Sequence, residues 1–305
     1  MNTKHVVYMA SALSRYADTM GQMMTALARH GVEVKILDTG NIWLRDWMPI
    51  QVGDHFVKFA YKGYGGDAVL SQAGGSYAKW PWLNVPDSTW RVVGKNIRKC
   101  PIVLDGGNII WSPKRDRVIC TDIMFRHNPA YSHTDLISLL EETLQAQVIL
   151  MPVEPEDTLG HTDGLCHFVD DNAVLLNDYR AYTNDSDWLK HQAKAEHCLL
   201  RAGLSIVPMV WDYESRPKMR ERDFRRKFPM ADDFNPGWGY LVNFLKVKDV
   251  ILLPKMGIEK PTVADVRAKE ILTQNFPGHE VVHIDCADLS MEGGLTSCTT
   301  MEYCL

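Results

Sequence analysis

LGHTDG, residues 159–164, is the stretch on which the other motifs of this chain converge. It holds His161, a candidate general acid and base, and Asp163 two residues further on, with a glycine on either side. In an extended segment, residues i and i+2 project to the same face, so the two side chains would share one space. The glycines would let a ligand or another backbone approach closely. A His-X-Asp triplet is also common as a structural hydrogen-bonded pair, so it indicates a site only together with other motifs.

The composition is that of a globular chain that can bury a sizeable core. It has 305 residues, of which 46% are hydrophobic and 23% are charged, enough for one large domain or two ordinary ones. The net charge of −5 argues against nucleic-acid and anionic-membrane partners and weakly suits a cationic substrate. The seven cysteines include no CxxC pair, so neither a disulfide framework nor a structural zinc site is expected. The N-terminal apolar run is too short for a signal peptide or a membrane span, which predicts a cytoplasmic protein.

Short predicted strands come in pairs, followed by a helix and one further strand, and this order recurs roughly every 60 residues. The predicted strands are residues 5–10, 32–37, 56–61, 102–104, 108–111, 118–121, 148–152, 166–169, 174–177, 204–210, 239–244, 250–254 and 280–285. The predicted helices are residues 13–30, 135–145, 186–202 and 262–276, with Ser132 or Thr134 capping the second. The pattern indicates structural repeats around an axis rather than a doubly wound sheet.

Four loop segments combine glycine with an acid, a histidine or a cysteine, and each follows a predicted strand. They are WLRD (43–46), DGGN (105–108), GHTDG (160–164) and GGLTSC (293–298). If the repeats circle one axis, these loops would meet in a central cavity that holds three carboxylates, one histidine and one cysteine. Each segment alone has a plainer reading, such as a local ion pair between Arg45 and Asp46, a tight turn at 105–108, or a buried apolar role for Cys298.

The combined set suits one particular reaction. A cysteine beside a histidine is the nucleophile and acid–base pair of covalent catalysis. Three carboxylates near a thiol would raise its pKa and weaken it as a nucleophile, unless the substrate is itself a cation. A guanidinium is planar and presents five N–H donors that pair with carboxylates, and its bound charge would favour the thiolate.

These motifs resemble those of the agmatine deiminase and bacterial peptidyl-arginine deiminase family of guanidine-modifying enzymes. The matching segments, in family order, are Trp43-X-Arg45-Asp46-X-X-Pro49, 59–66, 105–108, 160–164, 240–254 around Asn243, and Gly293-Gly294 followed by Cys298. The resemblance implies a single catalytic domain over residues 1–305 with the pentein fold. That fold is an α/β-propeller of five ββαβ-like units around a pseudo-five-fold axis, with the active site in the central channel.

The resemblance also implies roles for individual residues. Cys298 would be the nucleophile and His161 the general acid and base, with Asp105 in contact with both the guanidinium and the histidine. The residues implied in substrate binding are Asp46, Asp163, Trp43 and Asn243. The thiolate would attack the guanidinium carbon, ammonia would leave, and water would hydrolyse the thiouronium intermediate. This mechanism requires no metal and no organic cofactor.

Three departures from the family pattern bear on substrate and turnover. Ser297 stands where the family usually has histidine before the cysteine, and the chain stops seven residues after Cys298, so a reduced channel-lining tail is expected. The turn at 62–66 matches agmatine deiminases only in part. It lacks the arginines that would grip a substrate carboxylate, which favours agmatine, although Lys62 could replace them.

Four functions therefore stay open at this point. The first is hydrolysis of agmatine to N-carbamoylputrescine and ammonia, a step towards putrescine and polyamines. The second is deimination of free or peptide-linked arginine to citrulline, with the basic loop 216–227 either a recognition surface or simply solvated. The third is a non-catalytic guanidinium-binding pentein, and the fourth is a metal-dependent hydrolase that uses His161, Asp163 and Cys298. The oligomeric state is open as well, and a homo-oligomer is compatible with the sequence.

Overall fold

The computed structural model describes residues 4–61, 87–94, 96–155, 157, 159–213, 223 and 237–305. The turn at 62–66 and nearly all of the basic loop at 216–227 lie outside these residues. None of the helices within the described ranges has the length and apolarity needed to cross a membrane.

The protein belongs to the α/β class, and the strands within the described ranges form five small sheets. The strands are β1 (His5–Ala10), β2 (Glu33–Leu37), β3 (Ile50–Val52), β4 (His55–Ala60), β5 (Ile97–Val103), β6 (Ile110–Trp111), β7 (Arg117–Thr121), β8 (Gln147–Met151), β9 (Cys166–Phe168), β10 (Ala173–Asn177), β11 (Ser205–Met209), β12 (Leu245–Val247), β13 (Val250–Lys255), β14 (Glu280–Asp285) and β15 (Thr300–Cys304). The α-helices are α1 (Ala17–Arg29), α2 (Leu44–Trp47), α3 (Asp87–Trp90), α4 (Ile123–His127), α5 (His133–Leu144), α6 (Ser186–Arg201), α7 (Val263–Asn275) and α8 (Ala287–Ser290).

All five sheets have three strands and the same topology. Their strand orders are β15-β1-β2, β3-β4-β5, β6-β7-β8, β9-β10-β11 and β12-β13-β14. In each sheet the first strand pairs antiparallel with the second, and the second pairs parallel with the third after a helical crossover. The recurring ββαβ order predicted from the sequence is therefore present five times among the described residues.

The first sheet is completed by the last strand of the chain. β15 pairs with β1 in a register that places Val6 opposite Tyr303, so both ends of the described chain lie in one sheet. The Tyr303 hydroxyl also donates to the Pro49 carbonyl at 2.7 Å, which ties this sheet to the start of β3. The segment that carries Cys298 is thereby fixed immediately before β15.

Three of the long helices, α5, α6 and α7, begin where a side chain accepts from the free backbone N–H groups of the first turn. Ser132 accepts from Asp135 at the start of α5, which confirms one of the two predicted caps. At α7, Thr262 and Asp265 form a reciprocal capping box, so the predicted helix start was right to within one residue. The second strand of each sheet is almost wholly buried because its side chains face neighbours on both sides.

One predicted hairpin is wrong. Residues 239–244 do not form a strand; the partner of β13 is β12, which begins at Leu245. Gly239 has a φ of +80°, and a Cβ atom there would lie 2.4 Å from the backbone of Asp212, so this position turns rather than extends. The loop that carries Asn243 is the result. The sequence pattern also left β3 and β15 unassigned and made β5 too short.

Candidate active site

One loop precedes the first strand of each sheet, and these five loops carry the predicted site residues. They are residues 43–49 before β3, 105–109 before β6, 160–165 before β9, 240–244 before β12 and 293–299 before β15. The motifs predicted at strand ends are thus better described as entrances to hairpins. The loop of Asn243 occupies the fifth equivalent position, which periodicity alone did not reveal.

Contacts link these five loops in chain order and close into a ring. The backbone N–H of Arg45 donates to the Cys298 carbonyl at 3.2 Å and joins loop 43–49 to loop 293–299. The backbone N–H of Gly107 donates to Asp46 at 3.1 Å and joins loop 105–109 to loop 43–49. The third pair is joined by His161 and Asp105. In the fourth, a Cβ atom on Gly164 would lie 3.6 Å from the Tyr240 ring. The fifth link joins Asn243 to Cys298.

Cys298 lies buried between an amide and a carboxylate, with 8% of its surface exposed. The Asn243 Nδ2 atom donates to its Sγ atom at 3.2 Å, and Sγ lies 3.6 Å from Asp163 Oδ2. Burial, together with the charges of Asp163 and Asp46, raises the pKa of Cys298 well above its ordinary value. The resting residue is therefore a thiol, as three nearby carboxylates led us to expect.

His161 lies between two other carboxylates. Its Nε2 atom is 3.2 Å from Asp105 Oδ2, and its Nδ1 atom is 3.7 Å from Asp46 Oδ1. Burial by itself would lower the pKa of His161, but the charges of Asp46 and Asp105 outweigh it and raise the pKa to about 10. The imidazolium form thus predominates near neutral pH, ready to donate a proton.

Glycines allow the loops to come this close. A Cβ atom on Gly107 would lie 2.7 Å from Asp46 Oδ1 and 2.8 Å from His161 Nδ1. On Gly294 it would lie 2.4 Å from the ring of Trp43 and 2.9 Å from the Cβ atom of Cys298. Gly107 and Gly294 are therefore positions of close backbone approach.

The sequence matches the family model described as Porphyromonas-type peptidyl-arginine deiminase over residues 2–303. The chain belongs to this family. A putative agmatine deiminase of a Marinomonas strain is 24% identical over 250 residues, which cover 75% of this chain and 64% of that relative. An agmatine deiminase of Pseudomonas fluorescens is 26% identical over 335 residues, which cover 96% of this chain and 84% of that relative. The solved agmatine deiminase of Enterococcus faecalis aligns with a TM-score of 0.74 at 18% identity, over 98% of this chain and 93% of that one, and so shares its fold.

In this member of the peptidyl-arginine deiminase family, Arg45 holds the cysteine loop. Besides its backbone bond to Cys298, it donates from Nε to the Ser297 carbonyl at 3.3 Å. Both terminal nitrogens of its guanidinium pair with the Glu302 carboxylate. The local ion pair considered for Arg45 and Asp46 is thus replaced by a pairing with a residue of β15. Arg45 consequently connects the Asp46 loop to the Cys298 loop.

All seven site residues predicted from the sequence lie within this ring of loops. Cys298, Asn243 and Asp163 form one group, and His161, Asp46 and Asp105 form the other, with Trp43 packed against the glycine pair before the cysteine. Sequence reasoning missed the hydroxyl of Ser297, which bonds to Asp163, and the buried carboxyl of Glu154. Among the described residues, no three His, Cys, Asp or Glu side chains are grouped so that they could hold a metal ion.

Proposed function

We propose that this protein is a guanidine deiminase that hydrolyses agmatine to N-carbamoylputrescine and ammonia. The observation that carries the proposal is the grouping of a buried thiol, an imidazolium and three aspartates at equivalent hairpin entrances. A planar cation is the ligand that such a set would hold best, because its N–H donors match the carboxylates in geometry and in charge. The names of the similar Pseudomonas and Marinomonas proteins support agmatine as the substrate.

The same proposal extends to the architecture. We infer that the five sheets surround a pseudo-five-fold axis as an α/β-propeller and form one catalytic domain over residues 1–305. The repeated topology and the closed ring of loop contacts support this arrangement. The small substrate would enter a central channel lined by those loops.

In the proposed mechanism, Asp46, Asp105 and Asp163 hold the guanidinium with its carbon facing the Cys298 sulfur. The bound positive charge lowers the pKa of the thiol, which releases its proton to solvent and attacks the carbon as the thiolate. The His161 imidazolium then protonates one amino group, which departs as ammonia and leaves a cationic thiouronium on the sulfur. The bound guanidinium and the thiouronium both present a planar cationic carbon to the carboxylates, and the tetrahedral adduct between them is neutral.

Hydrolysis uses the same residues in the reverse sense. Neutral His161 takes a proton from water, and the oxygen adds to the thiouronium carbon. The carbon–sulfur bond breaks, the thiolate departs, and it takes the extra proton of the protonated ureido group, which restores the resting thiol. Asn243, which donates to the sulfur at 3.2 Å, would stabilise the thiolate both before the attack and after its departure. Trp43 would pack beside the substrate.

A second substrate class is arginine in free or peptide-linked form, and the family description supports the peptide-linked form. Ammonia release should therefore be measured with agmatine, with free arginine and with a peptide that ends in arginine. We expect activity on agmatine, lost in Cys298→Ala and kept in Cys120→Ala, which removes a buried thiol from β7. Activity on arginine compounds alone would refute agmatine as the substrate. Binding of agmatine without any ammonia would indicate the non-catalytic alternative, and loss of activity on chelation would indicate the metal-dependent one.

A further inference from the structure

Ser297 makes a specific contact with the carboxylate beside the thiol. Its hydroxyl donates to Asp163 Oδ2 at 3.0 Å, and this is the same oxygen that lies 3.6 Å from the Cys298 sulfur. Only 6% of the Ser297 surface is exposed, so water cannot readily replace the hydroxyl. The bond crosses from the loop before β15 to the loop before β9.

The backbone of Ser297 is held from both sides. Its N–H donates to the Asn243 carbonyl at 3.4 Å, and its carbonyl accepts from Arg45 Nε at 3.3 Å and from the Thr300 hydroxyl at 3.2 Å. Such a donor is preorganised, since little conformational freedom is lost when the hydrogen bond forms. The hydroxyl therefore fixes the side-chain orientation of Asp163.

The charge state of Asp163 depends on its neighbours. Burial raises the pKa of this carboxyl, whereas His161 on its own loop, Arg45 on α2, and the bonds from Ser297 and Cys298 oppose that rise. Cys166 on β9 also lies within electrostatic range. A hydroxyl favours the carboxylate without adding a positive charge that would repel a cationic substrate.

We propose that Ser297 is a positioning residue, which orients Asp163 and keeps it ionised for guanidinium binding. The inference rests on the proposed function, because it assigns a further residue to the same substrate site. It distinguishes Ser297 from a serine that merely fills space beside the nucleophile. The hydroxyl should matter for substrate affinity and for the acidic limit of activity more than for the chemical steps.

The test compares variants that differ in the hydroxyl. Ser297→Thr keeps the hydroxyl donor. Ser297→Val has nearly the shape of the threonine variant but no hydroxyl, and Ser297→Ala removes the hydroxyl without adding any atom. The matched control is Ser112→Ala, because Ser112 is also buried and donates to an aspartate at 2.9 Å, but in the turn between β6 and β7. Melting temperatures show whether each variant is folded.

We expect KM for agmatine to rise about tenfold in the Ala and Val variants with a smaller change in kcat, as for loss of a hydrogen bond to a charged group. The acidic limb of kcat/KM should move to higher pH, Ser297→Thr should restore much of the native behaviour, and Ser112→Ala should change neither. Agmatine affinity in the Cys298→Ala background, measured by calorimetry from pH 5 to 8, should weaken in parallel.

Two outcomes overturn the inference and are distinguishable. If the native protein hydrolyses agmatine and Ser297→Ala leaves KM, the pH profile and the calorimetric affinity unchanged, the positioning role is refuted and the proposed function stands. Equal losses in the folded Thr, Val and Ala variants would also refute it, because they would reflect packing. If the native protein neither binds nor hydrolyses agmatine, the proposed function fails and the inference fails with it.

Discussion

Replacing Glu154 with glutamine should remove a pH-dependent loss of stability. Glu154 is only 4% exposed, and its two carboxyl oxygens accept from Tyr179 at 2.5 Å and from Tyr240 at 2.8 Å. It thereby joins the segment before His161 to the loop that carries Asn243. Glutamine preserves the shape of the protonated acid and can both accept from one tyrosine and donate to the other.

The magnitude follows from the pKa of this carboxyl. Burial, assisted by Asp157, raises the pKa of Glu154 from 4.5 to about 8, although both tyrosine hydrogen bonds oppose the rise. The folded state therefore binds the proton more tightly than the unfolded state throughout this interval. The stability that the folded protein gains from this proton is fully present below pH 4.5 and is lost as the pH rises through 8. At about 1.4 kcal/mol per pH unit, the full loss would approach ~5 kcal/mol.

The assay is urea denaturation at pH 5, 6, 7 and 8, followed by tryptophan fluorescence. The free energy of unfolding of the native protein should fall relative to Glu154→Gln by several kcal/mol over this range. His161, whose pKa is raised to about 10, loses stabilisation above pH 6.5 as well, but it is present in both proteins and cancels in the difference. Glu270→Gln removes an exposed ion pair with Arg267 and keeps Glu154, so its free energy of unfolding should follow that of the native protein across this pH range.

Parallel stability curves for the native protein and Glu154→Gln would refute this reasoning. They would mean that the carboxyl is ionised in the folded protein at neutral pH and that the tyrosine donors outweigh its burial. This holds also if the curve for Glu154→Gln lies below the native one by a constant amount. The two tyrosine contacts would then be an ordinary buried hydrogen-bond network with no effect on the pH dependence of stability.

Two further predictions concern the site itself. Gly107→Ala should reduce kcat for agmatine by about a hundredfold or more, because the new Cβ atom would displace Asp46 and His161, and a displacement near 1 Å is costly in catalysis. Gly21→Ala, on α1 with no atom near the added carbon, should leave activity intact and stabilise the fold by about 0.5–1 kcal/mol; equal activity in both variants would contradict the packing argument. Asp46→Asn should lower the pKa of His161 from about 10, measured by NMR titration, and an unchanged value would mean that Asp105 and Asp163 set it without Asp46.

The elements that the sequence predicted well are those with a strong local signal. β1 and β14 were predicted with the right bounds, since each six-residue strand contains β-branched apolar residues: β1 has Val6 and Val7, and β14 has Val281, Val282 and Ile284. β3 and β15 were not, because β3 has only three residues and β15 is stabilised by pairing with the opposite end of the chain. The mistaken strand at 239–244 failed on backbone geometry, as a residue pattern does not reveal the positive φ of Gly239.

The site residues also divide into those with a strong local sequence signal and those without one. Motifs with glycine beside an acid, a histidine or a cysteine were visible because close approach requires glycine wherever the backbone has to pass near a side chain. The partners that hold those motifs were not visible, since their contacts join distant parts of the chain. Arg45 and Glu302 are 257 positions apart, and Ser297 and Asp163 are 134 apart. No local pattern encodes such pairs, which depend on how the five units are arranged.

The charge balance of the ring gives a reason for both selectivity and turnover. Among the residues that the structure describes, His161 is the cation that pairs with Asp46 and Asp105, and the charge of Arg45, which also acts on Asp163, is largely matched by Glu302. A guanidinium offsets the excess negative charge, and by doing so it favours the thiolate that attacks it. The ureido product carries no charge at that carbon, so it loses its pairing with the carboxylates as soon as it forms. On the proposed mechanism, the product therefore lacks the electrostatic contacts with which the aspartates bind the guanidinium. Its release then requires no additional conformational or chemical step.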